Sequence, residues 1–122
     1  MVDKQEGHMK QDALQMSLLL DYYGELLSQK QRVCFDLYYN QDLSLSEIAA
    51  ELGVSRQGVH ELLSRAEASL GELERVTGCI ARDRRTANAL AKIKAACERL
   101  QTIPEAREAL QEILRASAGI KE

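Results

Sequence analysis

Residues 44–65 read SLSEIAAELGVSRQGVHELLSR, and few folds accept that spacing of small, apolar and turn-forming residues. Two helices that cross steeply need a small residue at the contact. They also need a turn residue that tolerates positive φ and apolar residues that lock the pair. Ala49 is the small residue, and Gly53 supplies the turn four positions later. Ile48, Leu52, Val54, Val59 and Leu62 fall where the locking set is required. Ser44 followed by Glu47 has the reciprocal pattern of a capping box, which starts a short helix over 45–52, and Ser55 caps the helix after the turn. The stretch is therefore read as a helix-turn-helix.

The remaining residues extend this into an all-α helical bundle with a long C-terminal helical extension. Trp is absent, Phe occurs once and Pro once, so the core must come mainly from Leu, Ile, Val and Ala, which suits helix packing. Residues 11–27 form a first helix whose Leu14, Leu18, Leu19, Tyr22, Tyr23 and Leu26 wrap a broad face, predicting burial on two sides. Ser28 with Gln31 is a second capping box. The helix it opens has Val33, Cys34, Leu37 and Tyr38 as its core stripe and ends at Asn40-Gln41-Asp42. Beyond Ser55, Leu63, Ala66, Leu70, Leu73, Thr77 and Ile80 alternate steps of three and four. That is the seam of a coiled coil, or equally of a helix lying on its own domain. After Gly78 and the RDRR at 82–85, Leu90, Ile93, Cys97 and Leu100 resume one residue out of phase, predicting a bend or a new helix near 82–86. Thr102 with Glu105, and Pro104 in the first turn, open a last helix faced by Leu110, Ile113 and Leu114. The domains are then a flexible N-terminus over 1–10, a helix-turn-helix domain over 11–75 and the extension over 76–122.

If the second helix of the motif enters a major groove, Ser55, Arg56, Gln57, His60, Glu61 and Ser64 point outward, with Arg65 beside them. Arg56 suits a guanine edge and Gln57 an adenine, while Ser55, Lys30 and Arg32 suit phosphates. Charge opposes strong binding: the formal net charge is -3, and residues 28–70 hold four Lys/Arg against six Asp/Glu. Affinity for a polyanion comes largely from cations that release counterions, so one copy is expected to bind weakly and a homodimer to double the contacts. The broad first helix and the Leu63–Ile80 seam are its candidate surfaces. Arg82, Arg84 and Arg85 form either a solvated helix junction or a phosphate clamp for RNA or an acidic protein surface. The pairs Tyr22–Tyr23 and Tyr38–Tyr39 each place one ring in the core and one at a rim, where it bonds through its hydroxyl or stacks on a base.

No glycine-rich phosphate loop, GxSxG or HExxH is present, so catalysis and cofactor chemistry are not expected. Cys34, Cys79 and Cys97 lie far apart without a CxxC and read as buried reduced thiols of a cytoplasmic protein. Only His8 and His60 could join them in a metal site, and none is expected. The apolar LQMSLLLDYYGELL carries Asp21 and Glu25 and is too short to span a bilayer, so no membrane insertion is expected.

Ser28–Leu70 resembles region 4 of bacterial sigma factors. More closely, DYYGELLSQKQRVCFDLYYNQDLSLSEIAAELGVSRQGVHELLSRAEASL is similar to the YlxM family, small bacterial helix-turn-helix proteins encoded beside signal recognition particle genes. The likeness runs over roughly residues 14–75. It implies an accessory or regulatory factor of that pathway, with the particle's RNA or protein components as partners. A dimeric, sequence-specific DNA-binding regulator and a structural adaptor are the alternatives. Gly58, where the family more often has alanine, softens the reading helix by up to ~1 kcal/mol.

Overall fold

The computed structural model describes residues 10–120, and no strand occurs among them. Six α-helices run in order: α1 (Ala13–Tyr23), α2 (Gln29–Tyr39), α3 (Leu45–Leu52), α4 (Arg56–Thr77), α5 (Cys79–Leu100) and α6 (Arg107–Ala118). Short 3-10 turns, Gly24–Leu26 and Pro104–Ala106, follow α1 and precede α6. The chain divides into two compact units between Gly78 and Cys79.

Local chemistry sets the boundaries in the first unit. Asp12 caps α1 by accepting from the amides of Leu14 (2.9 Å) and Gln15 (3.3 Å). The Ser28–Gln31 box closes in both directions, each bond 3.1 Å. Past α2, the Asp36 carboxylate accepts from Asn40 Nδ2 at 2.7 Å and Gln41 Nε2 at 2.8 Å, and Asp42 turns the chain with a φ of 60°. The Asp12 and Ser28–Gln31 bonds meet backbone amides left free where a helix starts, and the Asp36 bonds tie together the side chains where α2 ends.

Helices α1, α2 and α3 all pack on α4. The side chains sealed at this junction are Tyr38, Phe35, Leu45, Ile48, Leu63, Leu70, Val59 and Cys34. Phe35 was not in the expected stripe of α2, whereas Val33 is exposed and Leu37 half-buried. The burial of α1 is one-sided too: Met16, Leu19 and Tyr23 face inward, while Leu14 is 81% and Leu26 70% exposed. Hydrophobic breadth reports how many faces can be covered; the neighbours present cover one. The expected seam of α4 is interior to this unit through Leu63, Ala66 and Leu70, so it belongs to the helix's own domain.

The helix ends at Gly78, φ 62° and ψ 23°, earlier than the expected 82–86, and α5 then runs unbroken through RDRR. The left-handed residue resets the helical phase, which accounts for the shift in the apolar register. The second unit is a hairpin of α5 and α6. Apart from Ile80 at the start of α5, its buried residues keep a seven-residue spacing on both arms, Leu90 and Cys97 on α5, Leu110 and Ser117 on α6. The Ser117 hydroxyl bonds back to the Ile113 carbonyl at 2.6 Å, which makes its burial tolerable. The expected Thr102 cap is not made: Ile103 precedes the 3-10 turn without a side-chain bond, and Ala106 starts α6 likewise.

The flexible arm expected over 1–10 falls outside the described residues except at Lys10, which is anchored. Its Nζ donates to the Tyr38 carbonyl at 3.0 Å and pairs with Asp42 at 3.1 Å. It also lies 4.7 Å from the Tyr38 ring centre and 5.5 Å from that of Tyr39. A cation at the C-terminal end of α2 meets unpaired carbonyls and two aromatic faces together.

Candidate nucleic-acid interface

The motif is α3, its turn and the start of α4. Ser44 and Glu47 close a capping box, with bonds of 2.8 and 3.1 Å. Gly53 reverses the chain in the left-handed region at φ 68° and ψ 34°, where a side chain carries strain. The Val54 amide then donates to the Ala49 carbonyl at 3.1 Å. Ser55 restarts the helix by accepting from the Gly58 amide at 2.9 Å. Ile48 and Val59 are wholly buried where α3 meets α4, and Ala49, Leu52, Val54 and Leu62 are half-buried around them.

With Val59, Leu63 and Ala66 facing the core, rotation of about 100° per residue turns Gln57, Glu61 and Ser64 to the far side of α4. Gln57, Glu61 and Arg65 are exposed, Ser64 is half-buried, and Ser55 stands exposed at the corner. Arg56 and His60 lie on the flanks, half-buried and engaged within the fold. Lys30 and Arg32 are exposed at the start of α2. The outward line of the reading helix thus offers a carboxamide, a hydroxyl, one guanidinium and the Glu61 carboxylate. Over residues 10–78 six Lys/Arg stand against eleven Asp/Glu, and Lys10 is already paired.

The tyrosines are taken up by the structure. Tyr23 donates to Glu74 at 2.6 Å and shares a 2.7 Å bond with Thr77 Oγ1. The Tyr39 hydroxyl donates to Glu67 and receives the Gln11 amide at 3.2 Å. Tyr38 and Tyr39 stack edge to face 5.0 Å apart, and Tyr22 alone of the four is exposed. Burial first, then the Glu67 charge, pushes the Cys34 thiol up to about 11. The same two causes, with Asp42 third, push Tyr38 up to about 12. Tyr39 is raised as well, by burial and then by its bond to Glu67. Glu67 had no sequence signal, because its role exists only where α2 and the segment before α1 meet α4.

Arg82, Arg84 and Arg85 are exposed on α5, in the second unit. Neighbours in a helix point about 100° apart, so the run fans out in several directions around α5. Lys92 and Arg99, exposed further along α5, were absent from the sequence candidates. Their signal was the seven-residue spacing from Arg85. Among the described residues no group of three or more His, Cys, Asp or Glu is placed to hold a metal ion, and His8 lies outside them. No described helix is long and apolar enough to cross a membrane.

A family model, UPF0122, described as "Putative helix-turn-helix protein, YlxM / p13 like", matches residues 10–112. That description names a helix-turn-helix protein and no enzyme. A UPF0122 protein of Thermoanaerobacter sp. (strain X514) is 48% identical over 90 residues, covering 74% of this chain and 77% of the relative. One from Symbiobacterium thermophilum is 43% identical over 88 residues, covering 72% and 82%. One from Halalkalibacterium halodurans is 39% identical over 94 residues, covering 77% and 86%.

Proposed function

The chain belongs to the UPF0122 family of YlxM/p13-like helix-turn-helix proteins, and from that premise we propose a non-catalytic, nucleic-acid-binding accessory factor of the signal recognition particle that works in the cytoplasm on the particle's RNA. The observation that carries the reading is the capped corner at Gly53, with Ser55 exposed at the corner and Gln57, Glu61, Ser64 and Arg65 on the side of α4 turned away from the core. An acidic helix-turn-helix is held off bulk chromosomal DNA by its own charge, while a scaffold shaped for a nucleic acid is retained. The pathway comes from the resemblance to YlxM proteins.

A homodimer forms part of the proposal. The exposed Leu14, Tyr22 and Leu26 on and beyond α1 support it, with a groove lined by Leu26, Ala68, Ser69, Glu72 and Leu73. Sedimentation at micromolar concentration should give twice the chain mass, reverting to one in Leu14→Glu with Leu26→Glu.

A dimeric, sequence-specific DNA-binding regulator is the second reading, favoured by Gln57, a side chain able to pair with an adenine edge from the outward line. Glu61 beside it opposes close approach to phosphates. The deciding measurement compares labelled signal recognition particle RNA with random-sequence DNA duplex across a salt series. Preference for the RNA at physiological salt is the expected result. Selection of one defined duplex, lost in Gln57→Ala, establishes the regulator instead. Retention of a particle protein without any nucleic acid establishes an adaptor.

A further inference from the structure

Helix α5 holds six Lys/Arg against two Asp/Glu, a net of +4 within a chain of net charge -3. Arg85, Lys92 and Arg99 are all exposed and recur every seventh residue. Such residues drift only about 20° per step and stand about 10.5 Å apart, so the three form one straight line along the helix. Lys92 and Arg99 each follow a buried residue, Leu90 and Cys97, by two positions. Two positions are about 200° of rotation, so the line lies opposite the buried seam. Arg82 and Arg84 fall about 80° to either side of it, widening the line into a cationic end. Neither carboxylate shares the face: Asp83 is about half a turn from Lys92 and Glu98 about a third. Alanines and Asn88 fill the gaps, so a ligand can come close to the helix.

Arg82, Arg84 and Arg85 lie in the first two turns of α5, where Asp83 pairs with Arg82 at 3.8 Å.

The face also narrows the partner. α5 has no aromatic residue on which to stack the bases of a single strand. A protein interface needs buried apolar or aromatic anchors, which this face lacks. A helix lying in a membrane surface needs its apolar side free, whereas Leu90 and Cys97 are turned into the protein. Regularly spaced phosphates remain. We propose that Arg85, Lys92 and Arg99, flanked by Arg82 and Arg84, track the phosphate backbone of a double-helical nucleic acid without reading its sequence. This rests on the nucleic-acid-binding reading above and assigns its electrostatic part to α5.

The test uses the full chain with a short RNA duplex and a DNA duplex of equal length and scrambled sequence. In the variant carrying Arg85→Gln, Lys92→Gln and Arg99→Gln, affinity should fall roughly tenfold or more. The slope of log affinity against log salt should flatten by about 1 per lost cation, about 3 in all. Loss on RNA, on DNA or on both supports the assignment and tells which duplex is the source of the phosphates. Arg107→Gln with Arg115→Gln, on α6, should leave affinity and slope unchanged. Replacing Arg85 and Arg99 by Lys should preserve the slope; a loss as large as in the Gln variant would trace the effect to altered structure and overturn the proposal. So would wild-type binding that the α5 variant retains in full, although the nucleic-acid reading would then stand. Wild-type protein that binds neither duplex at low salt overturns the proposal, while the comparison with signal recognition particle RNA decides the reading it rests on.

Discussion

Residues 10–78 and 79–120 are both helical but are built on different terms. The first unit contains all eight of the largest fully buried side chains and two closed capping boxes, and it holds eleven carboxylates against six cations. The second reaches the same helicity with two long helices, a narrow seam and eight cations against five carboxylates. A steep helix crossing can be specified only by a dense core, because each helix must be stopped and turned at a fixed residue. A hairpin needs just a seam, which frees most of its surface to carry charge. The dense core lies in one half and the excess of positive charge in the other.

The contrast is open to attack first through the cores. Leu63→Ala should cost about 3–5 kcal/mol, and Leu110→Ala about 2, because a narrow seam relaxes more readily around a lost side chain. Urea unfolding of the full chain would register it; equal losses would erase the distinction. Alkali supplies the next test. The Cys34 thiol, ordinarily near 9.0, is raised to about 11 in the fold, and Tyr38 from 10.0 to about 12. The unfolded chain releases these protons first, so the stability they confer is whole below pH 9 and is lost as pH climbs through 11 and 12. For Cys34 the loss is on the order of 2 kcal/mol. It should be absent between pH 9 and 11 in Cys34→Ala, as circular dichroism would follow.

Gly53→Ala sharpens the comparison at the corner. Nothing lies within 4 Å of the added methyl, so the expected loss of about 1–2 kcal/mol is backbone strain alone. Gly58→Ala should have the smallest effect and the opposite sign, raising the melting temperature through a gain below ~1 kcal/mol. The new methyl would meet Ser55 Oγ at 3.2 Å, and a fall in stability would show that the cap outweighs helix propensity.

The sequence was most legible where a bond joins residues three or four apart. Ser28–Gln31, Ser44–Glu47 and Ala49–Gly53 marked helix ends within one residue, since the partners that stop a helix sit beside it in the chain. Legibility failed where the partner is remote. Nothing near Phe35 tells it from Val33, and only α4 decides which is sealed. Thr102 carried a capping signature, yet the proline two residues on drew the chain into a 3-10 turn. RDRR reads as one cluster in the sequence, while on a helix its members fan out around the axis. The cations that do share a face are seven apart, a spacing the eye passes over unless the helix is known to continue past 85.

The anchoring of Lys10 has a practical side. Its amine is held by a carbonyl, a carboxylate and two rings, with the side chain only 26% accessible. Chemical acylation should therefore mark the exposed Lys30 and Lys92 well before Lys10. A recombinant form trimmed past residue 10 would lose the counter-charge of Asp42 and leave the end of α2 bare, whereas an affinity handle fused upstream would leave both untouched.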